Sequence, residues 1–449
     1  MILVFTTQKS PRLDYILAEL LGRRAGFEWQ VTTDENEFLN FSGPKINYSE
    51  NTFEDHIRIK PNGLLFETEI HNLQMEVKED ETWNKILFEQ NSTIPFDIFS
   101  ASFYLLSRYE EFLPTDHDLS GQAGLSHKKD EHGRYDHRQS LAFQNHFIET
   151  PLVDIWTQKL KEKILEKFPS ETFRQNQFKF LSTIDIDFAY KYKGIRLTRH
   201  LLKFGKSVLQ FRFLDADEQI QVVLKFKKDP YNTYRLIENI SSRSSTETLF
   251  FVLMRTGTKH DKNILPESNE MKFLVKKLSK KFEIGLHPSY FAEENKIEEE
   301  KSLLEKLTGK IISISRHHFL SIRLPKTYQR LISSGIIADY SMAYSGICGF
   351  RASTCFPFNF FDLSQNRMTN LVVHPTTVMD VTLKNSQKLK PEEANQKILK
   401  LMTEVKKVSG TFISLWHNSS LCEDKEWKGW TKVFENLHTL AAEISLQKN

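Results

Sequence analysis

The chain has 449 residues, and its 61 Lys and Arg against 58 Asp and Glu give a formal net charge of +3. This length predicts two domains, and the balanced charge gives no indication of a nucleic-acid-binding surface. The three cysteines lack the spacing of a metal site or a disulfide framework and favour a reducing compartment. No run approaches the roughly 20 apolar residues of a membrane-spanning helix, and the apolar start is too short for a signal peptide. We therefore expect a cytoplasmic protein without an integral membrane segment, leave a peripheral membrane role open, and find no indication of the oligomeric state.

The N-terminal third of the chain alternates short strands and helices. Residues 2–5 (ILVF) predict a first strand. Ser10, followed by Pro11, is the expected N-cap of a helix that ends before Gly22. The stretch GLLFETEI, residues 63–70, predicts a further strand. Alternating elements of this kind favour a small mixed α/β domain.

A helix and a loop with several histidines follow. Residues 97–114 predict a helix that Pro114 ends, and residues 115–140 predict a loop rich in His, Asp and Gly. The four histidines of this loop have no regular ligand spacing: His117, His127, His132 and His137. We therefore expect a solvated loop, with a second binding site as the alternative.

One more helix closes the N-terminal part, beginning at Thr150 and ending at Pro169. Its apolar residues recur every three or four positions: Val153, Trp156, Leu160, Ile164 and Phe168. The polar residues 169–177 then form the candidate linker. The sequence thus predicts a mixed α/β domain of unknown role at residues 1–172 and a second domain at residues 173–449.

Short apolar runs recur in the second part, separated by helical or looping segments: FKFLSTIDID, ETLFFVLM, FEIGLHPS, IISISRHHF, GIIADYSM, LVVHPTTVMD and TFISLWHN. Strands that alternate with helices are typical of a parallel sheet with right-handed crossovers. Such a series of runs suits a barrel or an incomplete barrel. We therefore predict an α/β fold: a (β/α) barrel, distorted or incomplete and of the seven-stranded type, preceded by the smaller mixed α/β domain.

The ionisable residues of these runs come at their C-terminal ends: Asp185, Asp187, His287, Arg316, His317, His318, Asp339, His374, Asp380 and His417. Parallel α/β folds build their functional sites at that edge of the sheet. Asp185 and Asp187, two residues apart in STIDIDFAY, share one face of their strand. The sequence therefore predicts a functional site at this edge.

Aspartate and histidine side chains at strand ends are the ligand set of zinc or a similar divalent ion. A catalytic site of this kind needs about three protein ligands and an open position for water. It also needs a free carboxylate that takes a proton from the water, and an acid that protonates the leaving group. Asp185 and Asp187 can divide between them the roles of ligand and free carboxylate, and a nearby arginine would keep the free one ionised.

The order of these elements resembles the polysaccharide deacetylases of carbohydrate esterase family 4, the NodB-homology enzymes, over about residues 178–430. TIDID resembles the D-x-D variant of that family's first motif, which implies that Asp185 is the general base and Asp187 a metal ligand. The second motif, H-x-x-x-H, is matched only at His287, because Phe291 stands where the second histidine is expected.

Three further motifs carry the resemblance. GFRASTCFPF resembles the arginine-containing loop and implies that Arg351 is the partner of the base. HPTTVMD corresponds to the fourth motif and implies Asp380 as its acidic residue, and FISLWHN resembles the fifth and implies His417 as the general acid. The chain is similar to a divergent branch from Bacteroidetes-like bacteria, in which an uncharacterised domain precedes the barrel.

The second histidine ligand has to come from another position. His318 ends the next strand, and the ends of neighbouring strands, about 4.8 Å apart, can share one ion. His317 points to the opposite face and is the alternative, together with water or the absence of a metal. The predicted metal ligands are therefore Asp187, His287 and His318, and the predicted cofactor is a divalent ion, with Zn²⁺ favoured.

The resemblance implies a metal-dependent hydrolase that removes an N- or O-linked acetyl group from a glycan or related saccharide, with a metal-bound water as nucleophile. A non-catalytic saccharide-binding homologue is one alternative. A glycosyltransferase whose D-x-D motif holds a nucleotide sugar through a divalent ion is another, and a different amide or ester hydrolase on the same barrel is the third.

Overall fold

The computed structural model of the chain describes the following residues: 1–54, 56–113, 129–195, 197–290, 292–424 and 426–447. Four residues named in the sequence predictions lie outside these ranges: Pro114, His117, His127 and Phe291. Within the ranges, none of the helices has both the length and the apolar character that crossing a bilayer requires.

In its described residues, the N-terminal part contains six strands: β1 (Ile2–Thr6), β2 (Trp29–Thr32), β3 (Lys45–Tyr48), β4 (Ile57–Arg58), β5 (Val77–Asp80) and β6 (Asn84–Leu87). The first four form a parallel sheet in the order β2-β1-β3-β4, and the last two pair as an antiparallel hairpin. The predicted first strand is therefore confirmed. The predicted strand at residues 63–70 is wrong: Gly63 takes a left-handed conformation with a φ of 108°, and a short 3₁₀ helix follows it.

Within the described ranges, five α-helices belong to this part: α1 (Pro11–Leu17), α2 (Glu35–Asn40), α3 (Ile98–Leu106), α4 (Leu141–Gln144) and α5 (Leu152–Lys167). Ser10 caps α1 as predicted, but the helix runs past Gly22 as a π-helix, Ala18–Ala25. A Cβ atom at Gly22 would lie 3.3 Å from Nε1 of Trp29, so this glycine allows close packing and does not end the helix. The end comes at Gly26, whose φ of 81° is left-handed.

Two other helix predictions have different outcomes. The helix predicted at residues 97–114 is shorter, because Arg108 takes a φ of 55° directly after α3 and its cap. The helix α5 lies within its predicted limits, and Phe168 is its C-cap. Its other four predicted apolar residues are buried: Val153, Trp156, Leu160 and Ile164.

The residues that the structure describes in the second part of the chain form nine strands: β7 (Lys179–Ile186), β8 (Glu247–Val252), β9 (Glu283–Leu286), β10 (Ile314–Ser315), β11 (Ala338–Asp339), β12 (Phe358–Asp362), β13 (Arg367–Val373), β14 (Val378–Met379) and β15 (Thr411–His417). They form one sheet in the order β12-β13-β11-β10-β9-β8-β7-β15-β14. Neighbouring strands are parallel except for the hairpin of β12 and β13, which the sequence did not predict.

Among the described residues, eight α-helices connect or follow these strands: α6 (Leu197–Leu209), α7 (Phe213–Val223), α8 (Tyr234–Arg243), α9 (Asn269–Leu278), α10 (Glu294–Thr308), α11 (Lys326–Ser333), α12 (Pro391–Lys407) and, after the last strand, α13 (Trp430–Leu446). Most follow a strand singly, as expected for crossover connections. Between β7 and β8 the chain instead carries α6, α7 and α8.

The large sheet curls around an apolar interior. Leu181 on β7 and Ala338 on β11 would be four strand spacings, about 19 Å, apart in a flat sheet. Both nevertheless belong to one small cluster of buried apolar side chains, together with residues of β8, β10 and β15 and the residue that follows β11: Leu249, Phe251, Ile314, Ile413 and Tyr340. The predicted α/β fold is therefore confirmed as a curled, half-barrel sheet, whereas the predicted seven-stranded type differs from the nine strands that the described residues form.

The two parts of the chain share buried surface. The largest hydrophobic cluster includes Ile2 on β1 and Leu13 on α1 as well as Leu437 and Ile444 on α13. The division into domains at residues 172 and 173 stays a prediction.

A buried group of charges also connects the two parts. Glu111, in the N-terminal part, accepts two hydrogen bonds from Arg351, at 3.0 and 2.6 Å, and one from Arg108 at 2.8 Å. Burial alone would raise the pKa of Glu111, but the two guanidinium groups outweigh it and lower this pKa from 4.5 to about 2. The ionised carboxylate therefore stabilises the folded chain.

We predict that Glu111→Gln lowers the free energy of unfolding at neutral pH by about 3 kcal/mol, because the depressed pKa is worth about 1.4 kcal/mol per unit. A carboxyl group whose pKa is lowered by folding stabilises the folded state at pH values above 4.5, its pKa in the unfolded chain. This stabilisation is lost as the pH falls towards 2. The difference in the free energy of unfolding between wild type and variant should therefore shrink as the pH falls from 4.5 to 2, as measured by urea unfolding at a series of pH values. Glu162→Gln, at an exposed pair with Lys159, is the control; a constant difference across the window would contradict the prediction.

Candidate active site

The carboxyl edge of the curled sheet brings together side chains from four strands. Asp185 lies on β7, in register with His417 at the end of β15. Asp187 comes directly after β7, His287 directly after β9, and His318 three residues after β10. Because the sheet curls, these strand ends converge on one point instead of standing in a row.

Arg316 is fully buried and reaches across the interior to Asp185. Its Nη1 donates to Oδ1 of Asp185 at 3.0 Å and to the hydroxyl of Thr183 at 2.7 Å. Its Nε donates to the carbonyl of Tyr340, and its Nη2 to the hydroxyl of Thr376. The ends of β10 and β7 would be about 14 Å apart in a flat sheet, so this contact requires the curl. The guanidinium orients the Asp185 carboxylate.

The predicted pairing of Arg351 with Asp185 is corrected by this geometry. Arg351 donates to both carboxylate oxygens of Glu111 and to the carbonyl of Ala343. Arg316 is the arginine that binds Asp185. Its place at a strand end, two residues after Ile314 and hence on the same inward face, is the sequence signal that points to it.

Asp187, His287 and His318 present ligand atoms that all lie within 4.8 Å of one another. Nε2 of His287 is 3.1 Å from Oδ1 of Asp187, and Nε2 of His318 is 3.4 Å from Oδ2. Each ring is fixed on its other side, since Nδ1 of His287 donates to the carbonyl of Arg316 and Nδ1 of His318 donates to Asp261 at 2.9 Å. Both Nε2 atoms therefore point at the same carboxylate. Asp261, in the loop after β8, was not predicted from the sequence.

This donor set fits a divalent cation. Because each Nδ1 carries the hydrogen that it donates, a neutral Nε2 turns a lone pair towards the carboxylate, which is unfavourable unless a proton or a cation lies between them. Oδ1 of Asp187 is buried and accepts no hydrogen bond from the described residues. Imidazole and carboxylate ligands in a group of three suit zinc.

Protons are the alternative occupants, and the pKa shifts show how strongly the carboxylate attracts positive charge. Burial lowers the pKa of His318, but the charge of Asp187 outweighs burial and raises this pKa to about 9. Burial would raise the pKa of Asp187, yet His318 and His417 hold it well below its usual range. A metal ion that binds here displaces such protons.

Asp187, His287 and His318 are here called the ligand group. His417 stands beside it and is held by Asp380. Its Nδ1 donates to Oδ1 of Asp380 at 2.9 Å, and its backbone N–H donates to Oδ2 at 2.8 Å. Its Nε2 lies 3.5 Å from Oδ2 of Asp187. Burial lowers the pKa of His417, but Asp380 and Asp187 together raise it to about 10. Asp380 is fully buried and fixes the tautomer and direction of the ring.

The other strand-end residues lie outside this group. Of the two neighbouring histidines, His318 is the one whose ring contacts Asp187. The ring of His317 is buried without a hydrogen-bond partner among the described residues, and burial lowers the pKa of His317 to about 3. His374 stacks on the ring of Tyr340 at 4.3 Å. Asp339 accepts hydrogen bonds from the hydroxyls of two serines, Ser315 and Ser341.

The ligand group opens into a cavity of about 420 Å³. One part of the lining is apolar: Leu320, Met379, Val381 and Leu415. Two serine hydroxyls, those of Ser345 and Ser386, are also in the lining, as are four residues of the N-terminal part: Asp130, Glu131, His132 and Arg134. The cavity is therefore large enough for a sugar-sized molecule and mixed in polarity.

Residues 129–137, here called the cover segment, are attached to the loop that follows His318. Arg134 pairs with Asp130 at 2.7 Å and donates to the carbonyl of Phe319. The centroid of the His132 ring lies 4.8 Å from the centroid of the Phe319 ring, and Nδ1 of His132 lies 3.3 Å from the hydroxyl of Tyr290. His132, which the sequence analysis expected in a solvated loop, thus lines the cavity of the ligand group.

Comparisons with known proteins add the following findings. Residues 2–169 match a family of unknown function, DUF7033, and none of the curated proteins matches the chain. A candidate polysaccharide deacetylase from Mycobacterium smegmatis is similar in structure, with 13% identity, 62% of this chain and 87% of that chain covered, and a TM-score of 0.40. A 4-alpha-glucanotransferase from Thermococcus litoralis has 12% identity, 61% and 38% covered, and a TM-score of 0.36. A CE4 family pseudoenzyme from Bacillus anthracis has 11% identity, 62% and 67% covered, and a TM-score of 0.30.

We predict that the purified chain retains a divalent metal after dialysis and that Asp187→Ala and His318→Ala each abolish this binding. Asp261→Asn should weaken metal affinity by about 10- to 100-fold, because it releases the ring of His318. Elemental analysis and titration against a coloured chelator measure both effects. His374→Ala, which removes a buried imidazole outside the group, should leave the metal content unchanged. Unaltered metal content in Asp187→Ala and His318→Ala would show that the ion lies elsewhere.

Proposed function

We propose that the protein is a metal-dependent hydrolase that removes an acetyl group, N- or O-linked, from a glycan or related saccharide. One observation carries the proposal: two carboxylates two residues apart have separate principal partners, although Nε2 of His287 also lies 3.9 Å from Oδ2 of Asp185. Asp187 faces the imidazoles of His287 and His318, whereas Asp185 is bound by Arg316. This separation supports a ligand role for the first and a proton-transfer role for the second.

The chemistry divides among the residues as follows. A bound divalent ion, with zinc favoured by the ligand types, supplies a Lewis acid that polarises the acetyl carbonyl and makes water more acidic. Asp185 takes the proton from the attacking water, and Arg316 holds its carboxylate in position. His417, oriented by Asp380, gives a proton to the departing amine or alcohol.

The cavity lining supports a small acyl group attached to a polar body. Apolar side chains next to the ligand group, among them Leu320 and Met379, suit the methyl of an acetyl group. The hydroxyls of Ser345 and Ser386 and the polar residues of the cover segment suit the hydroxyl groups of a sugar. The resemblance of TIDID, GLHPSY and FISLWHN to deacetylase motifs favours the same reaction.

A glycosyltransferase that holds a nucleotide sugar through the D-x-D motif is the weaker candidate, because it leaves His287, His318 and His417 without a role. Incubation of the metal-loaded protein with acetylated saccharides separates the candidates. Release of acetate supports the hydrolase, release of a nucleoside diphosphate from a nucleotide sugar supports the transferase, and saccharide binding without either product supports a non-catalytic homologue.

We predict that Asp185→Asn lowers the rate of acetate release by about 10²- to 10⁴-fold, the usual contribution of a general base. Bound metal should stay at the wild-type level, because Asp185 is outside the ligand group. Acetate assays together with elemental analysis measure the two effects. Asp339→Asn, at the end of β11 and away from the cavity, is the matched control and should keep its activity. Wild-type rates in Asp185→Asn would exclude it as the base.

We predict that the effect of His417→Gln depends on the leaving group. Hydrolysis of an N-acetylated sugar should fall by about 10²-fold or more, since the departing amine needs a proton. Hydrolysis of 4-nitrophenyl acetate, whose leaving group departs as an anion, should fall far less. Equal losses on both substrates, at unchanged metal content, would show that His417 is not the general acid.

A further inference from the structure

The helices α6 and α7, inserted between β7 and β8, carry a concentration of exposed apolar side chains. Of the 20 large apolar side chains exposed in the described part of the chain, 12 fall between positions 201 and 226. They are Leu201, Leu202, Phe204, Val208, Leu209, Phe211, Phe213, Leu214, Ile220, Val223, Leu224 and Phe226. A patch of this kind is typical of a surface that binds a partner. Residues 197–228 are here called the helical insertion.

Five of these side chains are at least 70% exposed. Leu209, Phe211 and Phe226 are each 81% exposed, Leu202 is 75% exposed and Leu214 is 70% exposed. Other contacts fix the insertion itself, since the amide of Gln219 on α7 donates to the carbonyl of His200 on α6 at 2.9 Å. The apolar surface thus belongs to a folded element and faces outwards.

The charge of the helical insertion is strongly positive. It contains seven Lys and Arg against three Asp and Glu, a net charge of +4, while the whole chain carries +3. Two of the three acidic residues are paired within or next to the insertion: Asp215 with Arg212, and Glu218 with both Lys191 and Lys227. Lys206, Lys225 and Lys228 are exposed beside the apolar side chains. The surface therefore complements a partner that is apolar in its interior and negative at its edge.

We propose that the helical insertion docks on an anionic lipid surface. Phe211, Phe213 and neighbouring leucines enter the boundary between headgroups and acyl chains, and the lysines bind the headgroups. The helices α6 and α7, of 13 and 11 residues, suit a position in the plane of the surface. Lysines and large apolar side chains on one short helical element are the combination that peripheral membrane binding requires.

The position of the insertion links this surface to the candidate active site. The insertion leaves the sheet at the carboxyl end of β7, a few residues after Asp187. The guanidinium of Arg199 on α6 donates to the carbonyl of Lys262 at 3.1 Å, and the preceding residue, Asp261, holds His318. The docking surface and the ligand group therefore lie at the same edge of the sheet.

Sedimentation with lipid vesicles tests the proposal on the full chain. Wild type should bind vesicles that contain about one third phosphatidylglycerol in phosphatidylcholine, and bind pure phosphatidylcholine at least about tenfold more weakly. Phe211→Asp combined with Phe213→Asp should lower binding to the anionic vesicles by at least about tenfold, as should Lys225→Glu combined with Lys228→Glu. Phe273→Asp, at an exposed phenylalanine on α9, is the matched control and should bind like wild type.

Two results would overturn the proposal. The first is wild-type protein that stays in the supernatant with anionic vesicles, or a Phe211/Phe213 double variant that binds them as wild type does. The second is a wild-type protein that is a dimer in light scattering and a Phe211/Phe213 double variant that is a monomer, when neither protein binds vesicles. The surface would then bind a second copy of the chain. Far-ultraviolet circular dichroism verifies the fold of each variant, and the substituted side chains are all exposed.

Discussion

Arg316 carries a positive charge into an apolar interior, where an unpaired guanidinium would be strongly unfavourable. The charge is tolerated because Asp185 and three neutral oxygen acceptors surround it, and because its Cζ lies over the ring of Phe251, 4.7 Å from the ring centroid. The same contacts tie the end of β10 to the end of β7 across the curl of the sheet. The convergence of Asp187, His287 and His318 follows from that tie, since Asp187 and His318 follow the two strands it joins and His287 follows β9, which lies between them in the sheet.

The alternation of strands and helices in the sequence was sufficient to predict the incomplete barrel. The polar residues at the strand ends were sufficient to select residues that the structure brings together. His318 could be selected because its strand neighbours that of His287. Arg351 was misplaced because a local sequence match does not show which of two arginines lies inside the sheet. Asp261 has no sequence signal, since its contact with His318 joins residues 57 positions apart. Gly22 resembled a helix end, but close packing against Trp29 accounts for it.

The three imidazoles at Asp187 share one arrangement. In each, Nδ1 is held by an oxygen of a different element: the carbonyl of Arg316, the carboxylate of Asp261 and the carboxylate of Asp380. Fixing the ring on one side sets the direction of Nε2 on the other, so the site keeps its geometry without relying on long flexible side chains. The order of the site thus depends as much on these three oxygens as on the rings.

The cover segment comes from a different stretch of the chain than the groups that would perform the chemistry. Its residues, such as His132 and Arg134, touch the cavity and the loop at Phe319, but none of them contributes to the group of Asp187, His287 and His318. The lining of the cavity and the ligand group can therefore change separately in the course of evolution. Substitutions within 129–137 would alter the lining and leave Asp187, His287 and His318 in place at the carboxyl edge of the sheet.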